Sequence, residues 1–163
     1  MRGRETAHWM KRYDSSMPFR RDPEHWLFKY SPREWIRAAL GELHRAEQAY
    51  KGKDVRGGLA GARRAAGMAL NGALIAEPND RWGRTYIEHL LALMHDASVP
   101  EAVREGSRLL METQPPSHEI VVLRSRERDE RVLEAARDVM AHAYAIVARF
   151  EARAEEGAND EKH

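Results

Sequence analysis

The sequence predicts an all-α fold, a bundle of helices that follows an irregular N-terminal arm. Apolar residues recur at intervals of three and four along most of the chain, which is the period of an amphipathic helix. Polar and Pro-containing loops separate these stretches, for example at residues 77–80 and 113–117. The one β-like run, residues 119–123, has no partner run, so we interpret it as an extended loop or an edge pair across a dimer.

The composition limits the classes of function. The chain has 163 residues, of which 42% are hydrophobic and 33% charged, and this suits one domain with its own core. The absence of Cys excludes disulfides, zinc–cysteine sites and cysteine nucleophiles. No apolar run approaches the ~20 residues of a membrane span, and the polar start does not resemble a secretory signal, so a cytoplasmic protein is expected. The net charge of +1 predicts no strong attraction to nucleic acid or membranes.

Residues 1–30 are expected to form the arm and an aromatic lead-in. Residues 1–22 lack a sustained hydrophobic period. The rings of Trp26, Phe28 and Tyr30 follow, and they are expected to pack over the first helix. Stacking on nucleic-acid bases is the alternative, which the scarcity of surrounding Lys and Arg disfavours.

The start of the first helix has a capping signature. Ser31 is the predicted cap, Pro32 suits the first turn, and Glu34 closes a capping box. This helix is expected to run to about Lys51 and to end at Gly52. Three further helices are predicted over residues 54–75, 84–95 and 99–112, the last with a second capping box formed by Ser98 and Glu101.

The second predicted helix is unusually rich in Gly and Ala. Because a glycine costs about 1 kcal/mol in a helix interior relative to alanine, such a helix has to recover stability by close packing. Tight contact with the first helix is therefore expected, with a second subunit as a further candidate for this surface.

The final helix is predicted over residues 128–153. Its apolar residues form a continuous stripe, which indicates the spine of a bundle, and they are Val132, Ala135, Ala136, Val139, Met140, Ala143, Ile146, Val147 and Phe150. A polar tail, residues 155–163, is expected to be disordered. The bundle itself therefore covers residues 31–154.

Basic residues cluster just before the final helix. Arg124, Arg126 and Arg128 could line a phosphate- or nucleic-acid-binding rim, since a helix N-terminus adds partial positive charge. The alternative is a solvated loop. His89 and His95 are six residues apart, a poor spacing for metal ligands, and both are interpreted as surface or core-edge histidines.

Four sequence segments together resemble the HEPN family of small all-α domains. The resemblance covers about residues 34–149. Helix one carries Trp35, Ala38 and the run AEQA at residues 46–49, and helix two carries AAGMAL at residues 65–70. Helix three carries HLLAL at residues 89–93, and Arg124 ends the loop before the last helix. Where many relatives have Glu and Lys in helix two, this chain has Gly67 and Asn71, so a charge network at those positions is not expected here.

The resemblance implies an up-and-down bundle of four to five helices that dimerises. It also implies an association with RNA cleavage, with toxin–antitoxin pairs and with nucleotidyltransferase partners. Active relatives carry R-x4–6-H on the last helix, which here corresponds to Arg137 and His142, with Asp138 after the Arg and Tyr144 two residues past the His. Such enzymes need neither metal nor cofactor: the Arg holds the scissile phosphate and the His acts as general acid or base.

Helix geometry argues against catalysis by one copy of this motif. A five-residue step leaves Arg137 and His142 roughly 140° apart around a straight helix, so both reach one site only if a second subunit contributes. The leading hypothesis is a HEPN-like module that dimerises, binds RNA, a nucleotide or a protein, and is catalytically degenerate. The alternatives are a metal-independent endoribonuclease that uses Arg137, His142 and Tyr144, and a structural scaffold without ligand.

Overall fold

A computed structural model describes residues 26–115 and 125–162, and those residues are helical throughout apart from short turns. The helices are α1 (Pro32–Lys51), α2 (Val55–Ala76), α3 (Tyr86–His95), α4 (Glu101–Glu112) and α5 (Ser125–Asp160), with short 3-10 helices at Trp26–Lys29 and Asp80–Trp82. No strand occurs in these two described stretches, and the predicted all-α bundle is confirmed. The β-like run at 119–123 lies outside them, as does most of the arm.

Helix α2 lies at the centre of the bundle and packs against α1, α3, α4 and α5. Helix α1 also packs on α5, and α4 packs on both α3 and α5. The predicted stripe of the last helix faces inward, because Val132, Ala136, Val139 and Ala143 are at most 1% exposed. One hydrophobic core therefore joins all five helices.

Small residues let α2 approach α1 closely. A methyl group on Gly61 would come within 3.0 Å of the Ala46 Cβ, and one on Gly72 within 2.7 Å of the Pro32 carbonyl oxygen. This is the tight packing against the first helix that the Gly- and Ala-rich sequence predicts.

The aromatic lead-in packs over α1 as predicted. The indole N–H of Trp35 donates a 2.8 Å hydrogen bond to the Leu27 carbonyl. The rings of Trp26 and Tyr30 meet the Trp35 ring edge to face, at centroid distances of 6.3 and 5.0 Å. This end of the bundle is therefore closed by aromatic packing.

The helix caps agree with the sequence at α1 and depart from it at α4. The capping box between Ser31 and Glu34 is present. The predicted box between Ser98 and Glu101 was wrong, because the backbone N–H and hydroxyl of Ser98 both donate to the Asp96 carboxylate, at 2.9 and 2.6 Å. Helix α4 consequently begins at Glu101 behind Pro100, without a side-chain cap.

Helix α5 is longer than the sequence pattern indicates. It has 36 residues, which corresponds to a length of about 54 Å. The segment from residue 155, expected to be disordered, continues the helix to Asp160. Ala and Glu supply four of the seven residues at positions 154–160, and both have high intrinsic helix propensity. No helix in the described residues is long and apolar enough to cross a membrane.

Candidate functional site

Arg137 lies on the side of α5 that faces α1, and two carboxylates occupy its guanidinium. One Nη donates to Glu47 on α1 at 2.6 Å and the other to Glu134 on α5 at 2.5 Å. Partial burial lowers the pKa of Arg137, but the hydrogen bonds to Glu47 and Glu134 outweigh it and leave that pKa raised. These contacts hold the side chain against the bundle, where it links two helices.

His142 lies on a different side of α5. It is half-buried, and the loss of solvent, followed by the charge of Arg149, lowers its pKa. Glu77 after α2 and Asp96 after α3 act in the opposite direction. The groups that influence His142 are thus separate from those that bind Arg137, in agreement with the angle expected for a five-residue step.

Tyr144 shares a face with Arg137, from which it is separated by two helical turns. It is 54% exposed. The structure therefore brings two of the three predicted catalytic residues, Arg137 and Tyr144, onto one face and directs His142 elsewhere. Within one chain the three do not form a common site.

Two ion pairs frame the surface on which Tyr144 lies. Arg33 on α1 binds Glu151 on α5 through two hydrogen bonds of 2.8 and 3.1 Å, and Glu47 binds Arg137 at the other end. Both pairs fit one antiparallel register, which places Leu40 level with Tyr144. We call this surface the α1–α5 face; it consists of Arg33, Arg37, Leu40, His44 and Glu47 of α1 and of Arg137, Ala141, Tyr144, Ala148 and Glu151 of α5.

The centre of the α1–α5 face is apolar and open. Leu40 and Tyr144 are 55% and 54% exposed, the two highest values among the large hydrophobic residues described. Ala141 and Ala148 flank Tyr144 by one turn on either side. An exposed ring between two alanines and next to an exposed leucine, with Arg37 and His44 one turn from that leucine, has the composition of a helix-packing surface with a polar rim.

Two of the three arginines of the predicted basic cluster, Arg126 and Arg128, lie in the described residues. Arg124 lies outside the described residues. Arg126 is almost fully exposed, 3.7 Å from Glu130, and Arg128 donates to the Gln114 carbonyl across the gap between α4 and α5. Acidic side chains at positions 127, 129 and 130 alternate with these arginines. The described part of this region is therefore of mixed charge.

A groove between the end of α1 and the start of α5 contains both Arg126 and Arg137. Its lining is balanced between bases and acids, namely Lys51, Lys53, Arg126 and Arg137 against Glu47, Asp129, Glu130 and Glu134. At its base, burial raises the pKa of Tyr50 to about 12. The balance of charges gives this groove no clear preference for an anionic ligand.

His89 is a core residue, contrary to the surface or core-edge position expected from the sequence. It is fully buried, with Nδ1 2.7 Å from the Trp82 carbonyl oxygen and Nε2 2.9 Å from Oδ1 of Asn71, which is also fully buried. Burial lowers the pKa of His89. The available signal was Asn71 itself, a polar residue within the small and apolar sequence of α2.

Gly67 on α2 makes room for Tyr86. A methyl group at Gly67 would lie 2.3 Å from the Cβ and Cγ atoms of Tyr86. Gly67 and Asn71 of α2 thus contact two residues of α3, Tyr86 and His89 respectively.

Arg63 on α2 is a further residue that the sequence did not single out. Its guanidinium donates to the carbonyl oxygens of Leu110, Met111 and Thr113 at 2.6, 3.3 and 2.7 Å. The last carbonyls of a helix have no partners within that helix. Arg63 therefore closes the C-terminal end of α4 from a neighbouring helix.

Together these features define an all-α helical bundle with an exposed two-helix face and a buried polar pair. Comparison with protein-family models, with curated proteins and with solved structures finds no match to this chain. Among residues 26–115 and 125–162, no three His, Asp or Glu side chains come together as metal ligands would.

Proposed function

We propose that this protein is a HEPN-like helical module that works by dimerisation and by binding a protein partner, without R-x4-H catalysis of its own. The observation that carries the proposal is the state of Arg137. Its guanidinium is bound by Glu47 and Glu134, while His142 lies on another side of the helix. An arginine held by two carboxylates is poorly placed to hold a phosphate as well.

The α1–α5 face is the proposed dimer interface. Its apolar centre, Leu40 and Tyr144, would become buried, and truncation or charging of a central aromatic residue commonly weakens an interface strongly. Its end charges are of both signs on both helices, so a second copy turned end for end meets complementary groups. A nucleotidyltransferase is the kind of protein partner that the HEPN resemblance implies.

Sedimentation velocity over a range of concentrations tests the interface. Tyr144→Glu is expected to raise the dimer dissociation constant at least tenfold, because it places a charge at the apolar centre. Ile87→Glu is the matched control, since Ile87 is 43% exposed on α3, outside the face. A monomeric wild-type protein, or equal dissociation constants for Tyr144→Glu and wild type, would contradict the proposed interface.

RNA or nucleotide binding is the alternative to a protein partner, and the mixed charge around Arg126 and Arg128 disfavours it. Fluorescence anisotropy with single-stranded RNA at low salt distinguishes the two. We expect weak binding that is insensitive to Arg126→Gln. Tight binding that falls with that substitution and with added salt would favour the nucleic acid.

A metal-independent endoribonuclease is the second candidate function, and His142 favours it. A half-buried imidazole with a lowered pKa is neutral at pH 7 and can accept a proton, as a general base must. Purified protein is incubated with single-stranded RNA in EDTA, beside the His142→Ala variant. Cleavage by wild type that is lost in the variant would establish this function and overturn the non-catalytic proposal.

A further inference from the structure

A groove of about 1040 Å³ runs along the line where α4 and α5 pack together. The two helices are antiparallel there, since Arg128 donates to the carbonyl of Gln114 and Gly106 lies against Ala135. A methyl group on Gly106 would come within 3.1 Å of the Ala135 carbonyl oxygen, so the two backbones approach closely. The floor of the groove is therefore made of small and apolar residues, which are Gly106, Leu109 and Ala135. We call it the α4–α5 groove.

The rims of the α4–α5 groove are acidic. Six carboxylates line it against three arginines, so the lining has a net charge of −3. The carboxylates are Glu105, Glu112, Glu127, Glu130, Glu134 and Asp138, and the arginines are Arg108, Arg128 and Arg131. The charge balance differs from that of the groove between α1 and α5, where bases and acids are equal in number.

Half of these carboxylates have no cation of their own. Glu105, Glu130 and Glu134 are each paired with an arginine. The other three form no ion pair within the part of the chain that the structure describes, and they are Glu112, Glu127 and Asp138. Carboxylates gathered along one groove repel each other, and a cationic segment laid between them relieves that repulsion.

The sequence of the N-terminal arm is complementary to the α4–α5 groove. Residues 1–25 lie outside the described residues, but their composition is known. Residues 2–12, RGRETAHWMKR, contain four Lys or Arg and one Glu, a net charge of +3 that matches the −3 of the groove. The same eleven residues contain Trp9 and Met10, which are large enough to cover the small residues of the floor.

The arm is also long enough to reach the groove. Trp26 packs on Trp35 near the start of α1, and this end of α1 is level with Glu151 because Arg33 pairs with it. Asp138, at the near end of the groove, lies 13 residues before Glu151 on α5, which is about 20 Å along the helix axis. Residues 13–25 span up to about 43 Å when extended. That length covers the axial distance and a passage around two helices of about 10 Å each.

We propose that the α4–α5 groove binds residues 2–12 of its own chain. The Lys and Arg side chains of the segment pair with the three free carboxylates, and Trp9 and Met10 cover the floor. The groove lies on a different side of α5 from the α1–α5 face, since the adjacent residues Arg137 and Asp138 point about 100° apart. Docking of the arm is therefore independent of the proposed dimer. A basic segment of another protein that used this groove would have to displace the arm first.

Paramagnetic relaxation enhancement in the whole chain tests the docking. The chain has no Cys, so a nitroxide attached to the Thr6→Cys variant is the single label. The amide signals of Gly106 and Asp138 should lose most of their intensity. Those of Glu155 and Glu156, near the far end of α5, should keep theirs. A mixture of spin-labelled protein without nitrogen-15 and nitrogen-15 protein without the label should show no loss, because the arm binds within its own chain.

Charge reversal shows whether the free carboxylates hold the arm. The double variant Glu112→Lys and Asp138→Lys changes the lining from −3 to +1 and should weaken the broadening at Gly106 at least fivefold. Both residues are exposed, and a lysine in the last turn of α4 suits the helix dipole, so the helices should persist by circular dichroism. Glu155→Lys with Glu156→Lys is the matched control and should keep the broadening. Adding Arg4→Glu and Arg12→Glu to the groove variant should restore it.

Four results would overturn the proposal. The first is full intensity at Gly106 and Asp138 in the spin-labelled protein. The second is a loss of intensity at Glu155 and Glu156 instead, which would place the arm along the end of α5. The third is a loss in the mixed sample, because the arm would then come from a second copy. The fourth is broadening that is equal in the groove variant and in its control, since charge would then not hold the arm.

Discussion

Replacing Arg63 by Met tests whether a side chain of α2 holds the end of α4. Methionine keeps most of the aliphatic stem and removes the three hydrogen bonds to the carbonyls of Leu110, Met111 and Thr113. Hydrogen bonds to a charged group contribute about 1.5–3 kcal/mol each. The carbonyls at the helix end can turn partly to water after the change. We therefore expect a loss of about 3 kcal/mol of unfolding free energy, which is less than the summed range of about 4.5–9 kcal/mol because water replaces part of the lost bonding.

The loss is measured by urea unfolding, followed by circular dichroism of the helices. A change of about 3 kcal/mol corresponds to a fall in Tm of roughly 6–12 °C for a chain of this size. The slope of the unfolding free energy against urea should stay constant, since the surface exposed on unfolding is nearly the same. The unfolding free energy of Arg63→Lys should lie between the values of wild type and Arg63→Met, because a single ammonium group lacks the planar fork of donors.

Arg126→Met is the matched control, because Arg126 is almost fully exposed and has one ion pair at 3.7 Å. An exposed pair of this kind contributes about 0–1 kcal/mol. A surface substitution typically changes the unfolding free energy by no more than about 0.5 kcal/mol. If the unfolding free energy of Arg63→Met differs from that of wild type by no more than this, the role assigned to Arg63 is wrong.

Three further predictions concern stability and use the same unfolding assay. Gly67→Ala is expected to cost about 1–3 kcal/mol, because its methyl group would overlap the Tyr86 side chain, and a gain from better helix propensity would contradict this packing. Ser31→Ala should cost about 1 kcal/mol through loss of the capping box with Glu34, and an unchanged midpoint would show that the box contributes nothing. Burial lowers the folded pKa of His89, so the unfolded chain binds its proton first and stability should fall as pH drops below about 6.5, until the folded pKa is reached. The His89→Gln variant should lack this pH-dependent loss of stability. An equal fall in the unfolding free energy of both proteins between pH 7.5 and 5.5 would contradict the role of His89.

The helices were predictable because their signal is local. The apolar stripe from Val132 to Val147 repeats at the helical period, and Ser31 with Glu34 is a capping signature that depends on three-residue spacing. The second box failed because Asp96, two residues before Ser98, competes for the same hydroxyl. Local patterns locate a helix well and its first residue less well when several polar side chains are adjacent.

The functional residues were harder to predict because their partners are distant in sequence. Arg63 binds backbone carbonyls, which carry no sequence signature. The hydrogen-bond partner of His89 is Asn71, which lies 18 residues earlier in the chain. Without knowledge of such a partner, a single polar residue on an apolar helix face is predicted to lie at the edge of the core. The R-x4-H spacing was visible, but whether Arg137 is free depends on Glu47, which belongs to another helix.

The close approach of α1 and α2 has a consequence for dynamics. At Gly61 and Gly72 the backbone of α2 contacts α1 directly, so α2 has no side chain at these two positions whose rotamer change would let the helices slide. We expect α1 and α2 to move as one rigid unit and their central amides to exchange hydrogen with solvent more slowly than those of α3 and α4. In such a pair the register of the two helices is set by shape, because an added methyl group at Gly61 or Gly72 would overlap α1 and force the two helices apart at that point.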